Sequence, residues 1–330
     1  MRILVTGGCG FIGSNFIHHI LKNTDYEIIN LDALTYSGNP DNLKDIEGNE
    51  RYSFVHGRIE DRGLVPELVK DADYLVNFAA ESHVDRSILD SRPFIVTNIE
   101  GTHVLLEACR HSDIKKFVHI STDEVYGELG ETGRFVEDLP LLPNSPYSAS
   151  KASADLIIRA YNETYGLPAA TARPSNNYGC YQYPEKFIPL IITNLLEDKH
   201  VPVYGEGKNI RDWIFVEDCC AGIAAILDRG KTGEVYNVGG ESEKSNIDIV
   251  RMLLGLLGKD ESYIEFVKDR PGHDYRYALD NTKIGKEPGW SPKIDLETGL
   301  AKTVEWYKNN PSWWKPLKER LARESRGFWS

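Results

Sequence analysis

The chain has 330 residues, 41% of them hydrophobic, with a formal net charge of -12 and a pI near 5.3. That length and apolar content support a large buried core, in one big domain or two modest ones, and not an array of small modules. The acidic balance opposes binding to nucleic acid or to an anionic membrane, so neither is an expected partner, and an anionic ligand would need a local basic pocket.

Met1 leads straight into the apolar run Ile3-Leu4-Val5. With no apolar run near the ~20 residues of a membrane span, the expectation is a chain without a signal peptide, soluble and cytoplasmic. Cys9, Cys109, Cys180, Cys219 and Cys220 are odd in number and form no C-x2-C pair. Reduced thiols are expected, with neither a disulfide framework nor a metal site.

Up to about residue 175, short β-branched runs alternate with longer helical patterns. Strands are predicted at Ile3 to Val5, Glu27 to Leu31, Tyr52 to Val55, Tyr74 to Phe78, Phe117 to Ile120 and Ala169 to Ala172. Helices are predicted at Phe11 to Leu21, Pro93 to Arg110 and Tyr147 to Tyr165. This rhythm implies βαβ units, hence an α/β fold with a Rossmann-type doubly wound parallel sheet over residues 1–175. Thr6, Asp32, Ala79 and Ser121 fall at carboxyl ends of strands, where such sheets hold ligands. Residues 176–330 are richer in Gly, Pro, Asn and aromatics, with helices near Glu185 to Leu196, Val216 to Leu227 and Asn246 to Leu257. They read mainly as a smaller C-terminal substrate-binding lobe, with some segments returning to the first domain. The Trp313-Trp314 stretch near the end reads as a docking helix.

Thr6-Gly7-Gly8-Cys9-Gly10-Phe11-Ile12-Gly13 follows a strand and opens a helix. Gly7, Gly10 and Gly13 permit a tight turn, close backbone approach to a pyrophosphate and close helix-strand packing, and the helix N-terminus offers free N–H groups. Asp32 ends the second strand, where a carboxylate accepts from the adenosine ribose hydroxyls and repels a 2'-phosphate. NAD is therefore the expected cofactor, ahead of NADP.

Ser121-Thr122-Asp123-Glu124-Val125-Tyr126 is followed about two dozen residues later by Tyr147-Ser148-Ala149-Ser150-Lys151. Tyr-x3-Lys puts both side chains one helical turn apart on one face, so the ammonium is expected to lower the phenol's pKa and make it a base for an alcohol proton. The chain holds a second such pair, Tyr204 and Lys208, so spacing alone is weak. The company of the first pair raises it. Thr122 can hold the same hydroxyl, and Asp123 with Glu124 exceeds what a plain alcohol dehydrogenase needs. The set points to a dehydratase that borrows a hydride. Both acids can reach one substrate only if the chain leaves extended geometry by Asp123, because neighbouring strand residues face opposite sides.

These residues resemble the extended short-chain dehydrogenase/reductase family. The likeness runs from the first strand to about residue 300 and narrows at Ala79 to Ser87, Ser121 to Gly127, Ser175-Asn176-Asn177-Tyr178-Gly179 and Asp269-Arg270-Pro271-Gly272-His273-Asp274. There it resembles the nucleotide-sugar 4,6-dehydratases, with dTDP-glucose as the implied substrate, UDP- or CDP-glucose as alternatives, and a silent NAD-binding regulator as a more distant one. By this resemblance NAD contacts would be Gly7, Gly10, Phe11, Ile12, Gly13, Asp32, Ala33, Leu34, Thr35, Arg58, Ile59, Phe78, Ala79, Ala80, Glu81, Ser82, Thr97, Tyr147, Lys151 and Asn177. Substrate contacts would be Ser82, Thr122, Asn176, Glu185, Lys186, Pro202, Val203, Tyr204, Arg211, Asn246, Asp269, Arg270, Pro271, Gly272 and His273, with Lys186, Arg211 and Arg270 converging on a diphosphate. A homodimer through helices at about 93 to 110 and 147 to 165 is also implied.

Two positions depart from the family pattern. Arg58 stands where the family usually has an Asp that accepts from the adenine amino group, and Cys180 where it commonly has Pro. The reaction implied uses Tyr147, Lys151 and Thr122 at C4 of a hexose, Glu124 as base at C5 and Asp123 as acid for the departing C6 hydroxyl.

Overall fold

The computed structural model describes residues 1–269 and 273–324, so Arg270, Pro271 and Gly272 lie outside the described residues. Twelve strands are found among those described: β1 Arg2–Thr6, β2 Glu27–Asp32, β3 Tyr52–His56, β4 Tyr74–Asn77, β5 Lys116–Ile120, β6 Ala169–Pro174, β7 Asn176–Tyr178, β8 Val201–Tyr204, β9 Ile210–Phe215, β10 Val235–Val238, β11 Glu243–Ser245 and β12 Ile264–Val267. A 7-stranded sheet takes the order β10-β6-β5-β4-β1-β2-β3 with every neighbouring pair parallel. The order reverses between β1 and β4, so a crevice opens beyond their carboxyl ends.

Parallel strands covered on both faces must be apolar throughout, and β1 shows how alternation distributes them. Ile3 and Val5 face helices Phe11–Asn23 and Val216–Arg229, in a core with Phe16, Ile17, Ile20, Ile223 and Ile226. Leu4 faces the opposite side, with Leu75, Phe117, Leu105 and Ile158. Each such side chain contributes about 1.5–3 kcal/mol when fully buried.

The structure adds a strand that the sequence pattern left out and shows where a helix that it contained is packed. β10 pairs with β6 although more than sixty residues of chain separate them, and helix Val216–Arg229 packs on Phe11–Asn23, so the C-terminal half returns both a strand and a helix to the first layer. The expected helix from Pro93 to Arg110 contains a π-helical segment, Ile95–Gly101, between α-helical Arg92–Phe94 and Thr102–Arg110. Short helices Leu64–Lys70 and Val84–Leu89 carry too few apolar repeats to stand out in the sequence. No described helix is long and apolar enough to cross a membrane.

Two smaller sheets, β11-β9-β7 and β12-β8, belong to the other lobe. Helices Phe187–Leu196, Asn246–Leu257, Leu296–Asn309 and Pro311–Glu324 close its core, in which Tyr307 and Trp314 are buried. Trp313 donates from Nε1 to Asn42 Oδ1 at 2.9 Å, tying the last helix to the 3₁₀ helix Pro40–Ile46 beside the glycine-rich turn.

Helix Pro146–Tyr165 positions Tyr147 and Lys151. Ser145 and Ser148 cap it reciprocally, each side chain accepting from the other's backbone N–H at 3.1 and 3.0 Å, and Pro146 presets the first turn. Farther along, Asp155 accepts from Arg173 at 2.9 Å with side chains only 3% and 5% exposed. Asp155→Ala strands a buried guanidinium and should cost about 3–5 kcal/mol in urea unfolding. A loss below about 1 kcal/mol would show that the Arg173 charge is satisfied elsewhere.

Candidate active site

Gly7 has φ +71, and a Cβ there would lie 2.6 Å from the Ala79 backbone N. A Cβ at Gly13 would lie 2.3 Å from the Gly7 carbonyl oxygen. The loop therefore lies flat against β4 with space above its backbone, the cradle a pyrophosphate needs. Asp32 braces it, Oδ2 accepting from Cys9 N at 2.8 Å and Oδ1 from Leu34 N at 2.7 Å. Burial raises the pKa of this carboxyl, and those two N–H groups pull it back. Each oxygen keeps a lone pair for a ribose hydroxyl.

From this loop a groove of about 310 Å³ runs past Asp32, Thr35, Arg58, Ile59, Phe78, Ala79, Ala80, Glu81, Ser82 and Thr97 to Thr122, Asp123, Glu124, Tyr147, Lys151, Asn176, Asn177, Glu185 and Lys186. The expected cofactor contacts and the acid pair thus line one cavity, Leu34 standing just behind it. Arg58 is exposed at the groove's rim, while Glu60 lines the groove and accepts from Thr97 Oγ1 at 2.8 Å. Glu60 went unnoticed in the sequence because it lies two residues past the position where the family's acceptor is expected.

At the other end, β5 stops at Ile120 and a 3₁₀ turn, Asp123–Tyr126, begins at once. Thr122 caps the turn by accepting from Glu124 N at 3.3 Å, and Gly127 ends it at φ 87. The chain leaves extended geometry at Asp123, as the two acids require.

Asp123 is 2% exposed. Burial pushes its pKa well above the usual carboxylate range, with Glu124 and then Asp212 adding to the rise, while a hydrogen bond from Thr122 Oγ1 at 3.2 Å and the Arg211 guanidinium oppose it. Among the described residues, Asp123 Oδ2, Asn176 Oδ1 and Asn177 Oδ1 are buried without a partner. Buried polar atoms of this kind call for a polar occupant. Acceptors around a glycine cradle fit the ribose and amide groups of NAD beside a hydroxyl-rich second ligand.

Tyr147 departs from expectation. Its phenol is pushed up, first by burial and then by Glu124 and Asp123, with a Thr122 hydrogen bond opposing. Lys151 does not point its charge at the phenol: Nζ donates to the Ile120 carbonyl at 2.6 Å and lies 3.1 Å from His119 Nε2. A buried ammonium needs acceptors, and the strand end and imidazole supply them; burial still lowers its pKa to about 8.

Among the described residues, the remaining expected substrate contacts lie outside this groove. Arg211 on β9 donates to the carbonyls of Ile210 at 2.8 Å and Asp274 at 2.9 Å and stacks over Tyr277, 4.3 Å from its ring centre. Glu124 is the second cause, after burial, of a raised pKa at Tyr277, so this Arg-Tyr pair adjoins the acids. On β8, alternation turns Val203 into the core and leaves Pro202 and Tyr204 half-buried. Asn246 opens its helix, and Asp269 pairs with His273 at 2.7 Å. Lys208, partner of Tyr204 in the second Tyr-x3-Lys, pairs with Glu206 at the surface. Lys186 donates to the Ser82 carbonyl at 3.1 Å, and Glu185 lies 3.3 Å from Arg86, so loops after β4 and β7 meet over the groove. Arg86 in turn stacks on Tyr36, 3.7 Å from its ring centre. Tyr36, Arg86 and Tyr277 were not expected, since nothing in their spacing marks them.

Residues 4–303 match the family model described as GDP-mannose 4,6 dehydratase. The chain belongs to that family. It is 51% identical to a dTDP-glucose 4,6-dehydratase of Xanthomonas campestris, covering 94% of each chain, and 49% identical to dTDP-glucose 4,6-dehydratase 1 of Escherichia coli, covering 95% and 94%. Among solved structures, a dTDP-glucose 4,6-dehydratase of Streptomyces venezuelae with NAD bound superimposes with a TM-score of 0.94 at 48% identity over 96% of this chain and 100% of that one. A UDP-glucuronic acid 4-epimerase of Bacillus cereus gives 0.89 at 33% identity, covering 94% and 99%.

For Gly13→Ala, the added methyl must displace the Gly7 carbonyl, so NAD affinity measured by equilibrium dialysis should fall at least about tenfold, roughly 1.4 kcal/mol. Unchanged affinity would place the dinucleotide elsewhere.

Proposed function

We propose that this protein converts dTDP-glucose to dTDP-4-keto-6-deoxyglucose, a hydro-lyase reaction with NAD held in the glycine-loop groove. One observation carries the reading: two adjacent acids in sharply different settings, Asp123 buried and Glu124 half-buried, line the same cavity as Tyr147 and the dinucleotide cradle. An epimerase of the same fold has no use for an acid aimed at C6, so the 0.89 superposition speaks for the scaffold alone. Relatives near 50% identity that are dTDP-glucose 4,6-dehydratases support the choice of base.

When bound, NAD supplies the hydride acceptor at C4 and the hydride donor at C6, and its cationic ring helps the raised phenol of Tyr147 ionise. Thr122 holds the C4 hydroxyl while Tyr147 takes its proton. The ketone acidifies the C5 hydrogen, which Glu124 removes. Asp123, kept protonated by its burial, gives its proton to the C6 hydroxyl, which leaves as water. Glu124 then returns its proton to C5, and the proton gained by Tyr147 replaces, through solvent, the one Asp123 gave up, so atoms balance with no net oxidation.

Two copies of the chain pair through helices Arg92–Phe94 to Arg110 and Pro146–Tyr165, where Ile95 and Leu156 stand 53% and 59% exposed, an apolar face suited to a two-fold partner.

Run in deuterated water, the reaction should place one solvent deuterium at C5 and carry the C4 hydrogen to C6. In Glu124→Gln, C4 oxidation should persist while dehydration falls ~100-fold or more. Deuterium at C6, or equal loss of both steps, would contradict the scheme, and a panel of dTDP-, UDP- and CDP-glucose decides the base.

A further inference from the structure

Thr6 on β1, Asn77 on β4 and His119 on β5 are register partners, one beside the next, and they form a polar row across the sheet that ends at Lys151. None of the four is more than 2% exposed. Thr6 Oγ1 lies 2.6 Å from Asn77 Oδ1, Asn77 Nδ2 lies 3.1 Å from His119 Nδ1, and His119 Nε2 lies 3.1 Å from Lys151 Nζ. A fully buried histidine next to the last residue of β5, below the reacting groups and outside their groove, has no place in the steps above.

A neutral imidazole donates from one nitrogen and accepts at the other, so the row can run in only two directions. With Lys151 as an ammonium, Nζ donates to Nε2, the ring proton sits on Nδ1 and donates to the Asn77 oxygen, and the Asn77 amide donates to Thr6. With Lys151 as a neutral amine, Nε2–H donates to Nζ, the amide donates to Nδ1, and the Thr6 hydroxyl donates to the Asn77 oxygen. A half-turn of the Asn77 amide connects the two, which differ by one proton.

We propose that His119, backed by Asn77 and Thr6, is a positioning residue for Lys151, holding its amine against the Ile120 carbonyl and keeping it hydrogen-bonded in both protonation states by placing the ring proton on Nδ1 or Nε2. Burial, and then the Lys151 charge, hold the imidazole well below its ordinary pKa, so the ring stays neutral while it changes tautomer. The charged groups around Lys151 are few. On its own helix are Tyr147 and Asp155, the latter engaged by Arg173; Asp123 and Glu124 approach Tyr147 from the 3₁₀ turn. Lys116 of β5 points to the other face, onto the carbonyls of Ile226, Leu227 and Gly230.

Nitrogen-15 NMR of histidine-labelled protein reads the tautomer without turnover. Between about pH 6 and 10 the protonated nitrogen of His119 should change from Nδ1 to Nε2, and in Lys151→Met it should not change. A single tautomer throughout, or an imidazolium, would overturn the proposal. The consequence for turnover rests on the dehydratase reading. In C4 oxidation followed by NADH absorbance, His119→Phe should fall behind the wild type by about twofold to threefold at acid pH, where the ammonium loses one acceptor, and by about tenfold more at alkaline pH, where the neutral amine loses its donor, and His119→Gln should recover most of the loss. Loss by one factor at every pH would make the role merely structural. If His119→Phe does not fold, the tautomer measurement on wild type and Lys151→Met still decides. A tautomer change in a protein that turns over no nucleotide sugar would support the row and remove the dehydratase reading.

Discussion

A carboxyl group excluded from water, with a second carboxyl beside it, is the constraint on which the site rests. Asp123 at 2% exposure cannot easily ionise next to Glu124, because charge in a dry cavity is costly and like charge adds to the cost. Opposing this are only a Thr122 hydroxyl and the more distant Arg211 guanidinium. Two chemically similar side chains are thereby made different, and in the proposed reaction that difference would let one serve as acid while its neighbour serves as base.

The architecture around the pair follows from that need. β5 ends just short of the acids so that a 3₁₀ turn can bring both to the groove, and Thr122 caps the start of that turn while itself lining the groove. The reciprocal Ser145–Ser148 cap fixes the start of the helix that carries Tyr147 and Lys151. Arg211 and Tyr277 approach from the other lobe, so the charge balance at the acids is shared between both halves of the chain. Burial raises the Tyr147 phenol as it raises the Asp123 carboxyl. A cationic nicotinamide is then what would make the phenol a base in the ternary complex.

Local signals carried most of this in the sequence. The glycine spacing after a β-branched run, the Asp at the second strand's end and the polar block after the fifth strand each have a backbone reason visible within a few residues. Long-range placements were not legible. Val235–Val238 joins the sheet through pairing with a strand more than sixty residues upstream, and Tyr277 acquires its role only by folding against Arg211. Tyr-x3-Lys fixed a helical face without fixing where Lys151 points: its ammonium takes the Ile120 carbonyl and His119, partners on another element. The duplicate pair at Tyr204 and Lys208 shows the same limit, its lysine being spent on a surface ion pair.

The central claim is that Asp123 carries a proton at neutral pH. Difference infrared spectroscopy between the wild type and Asp123→Asn, titrated through neutrality, tests it directly. The account predicts a protonated-carboxyl band at pH 7 that fades only as pH rises through the elevated pKa, in step with loss of dehydration and not of C4 oxidation. A carboxylate signal already present at pH 7, with dehydration intact, would contradict it.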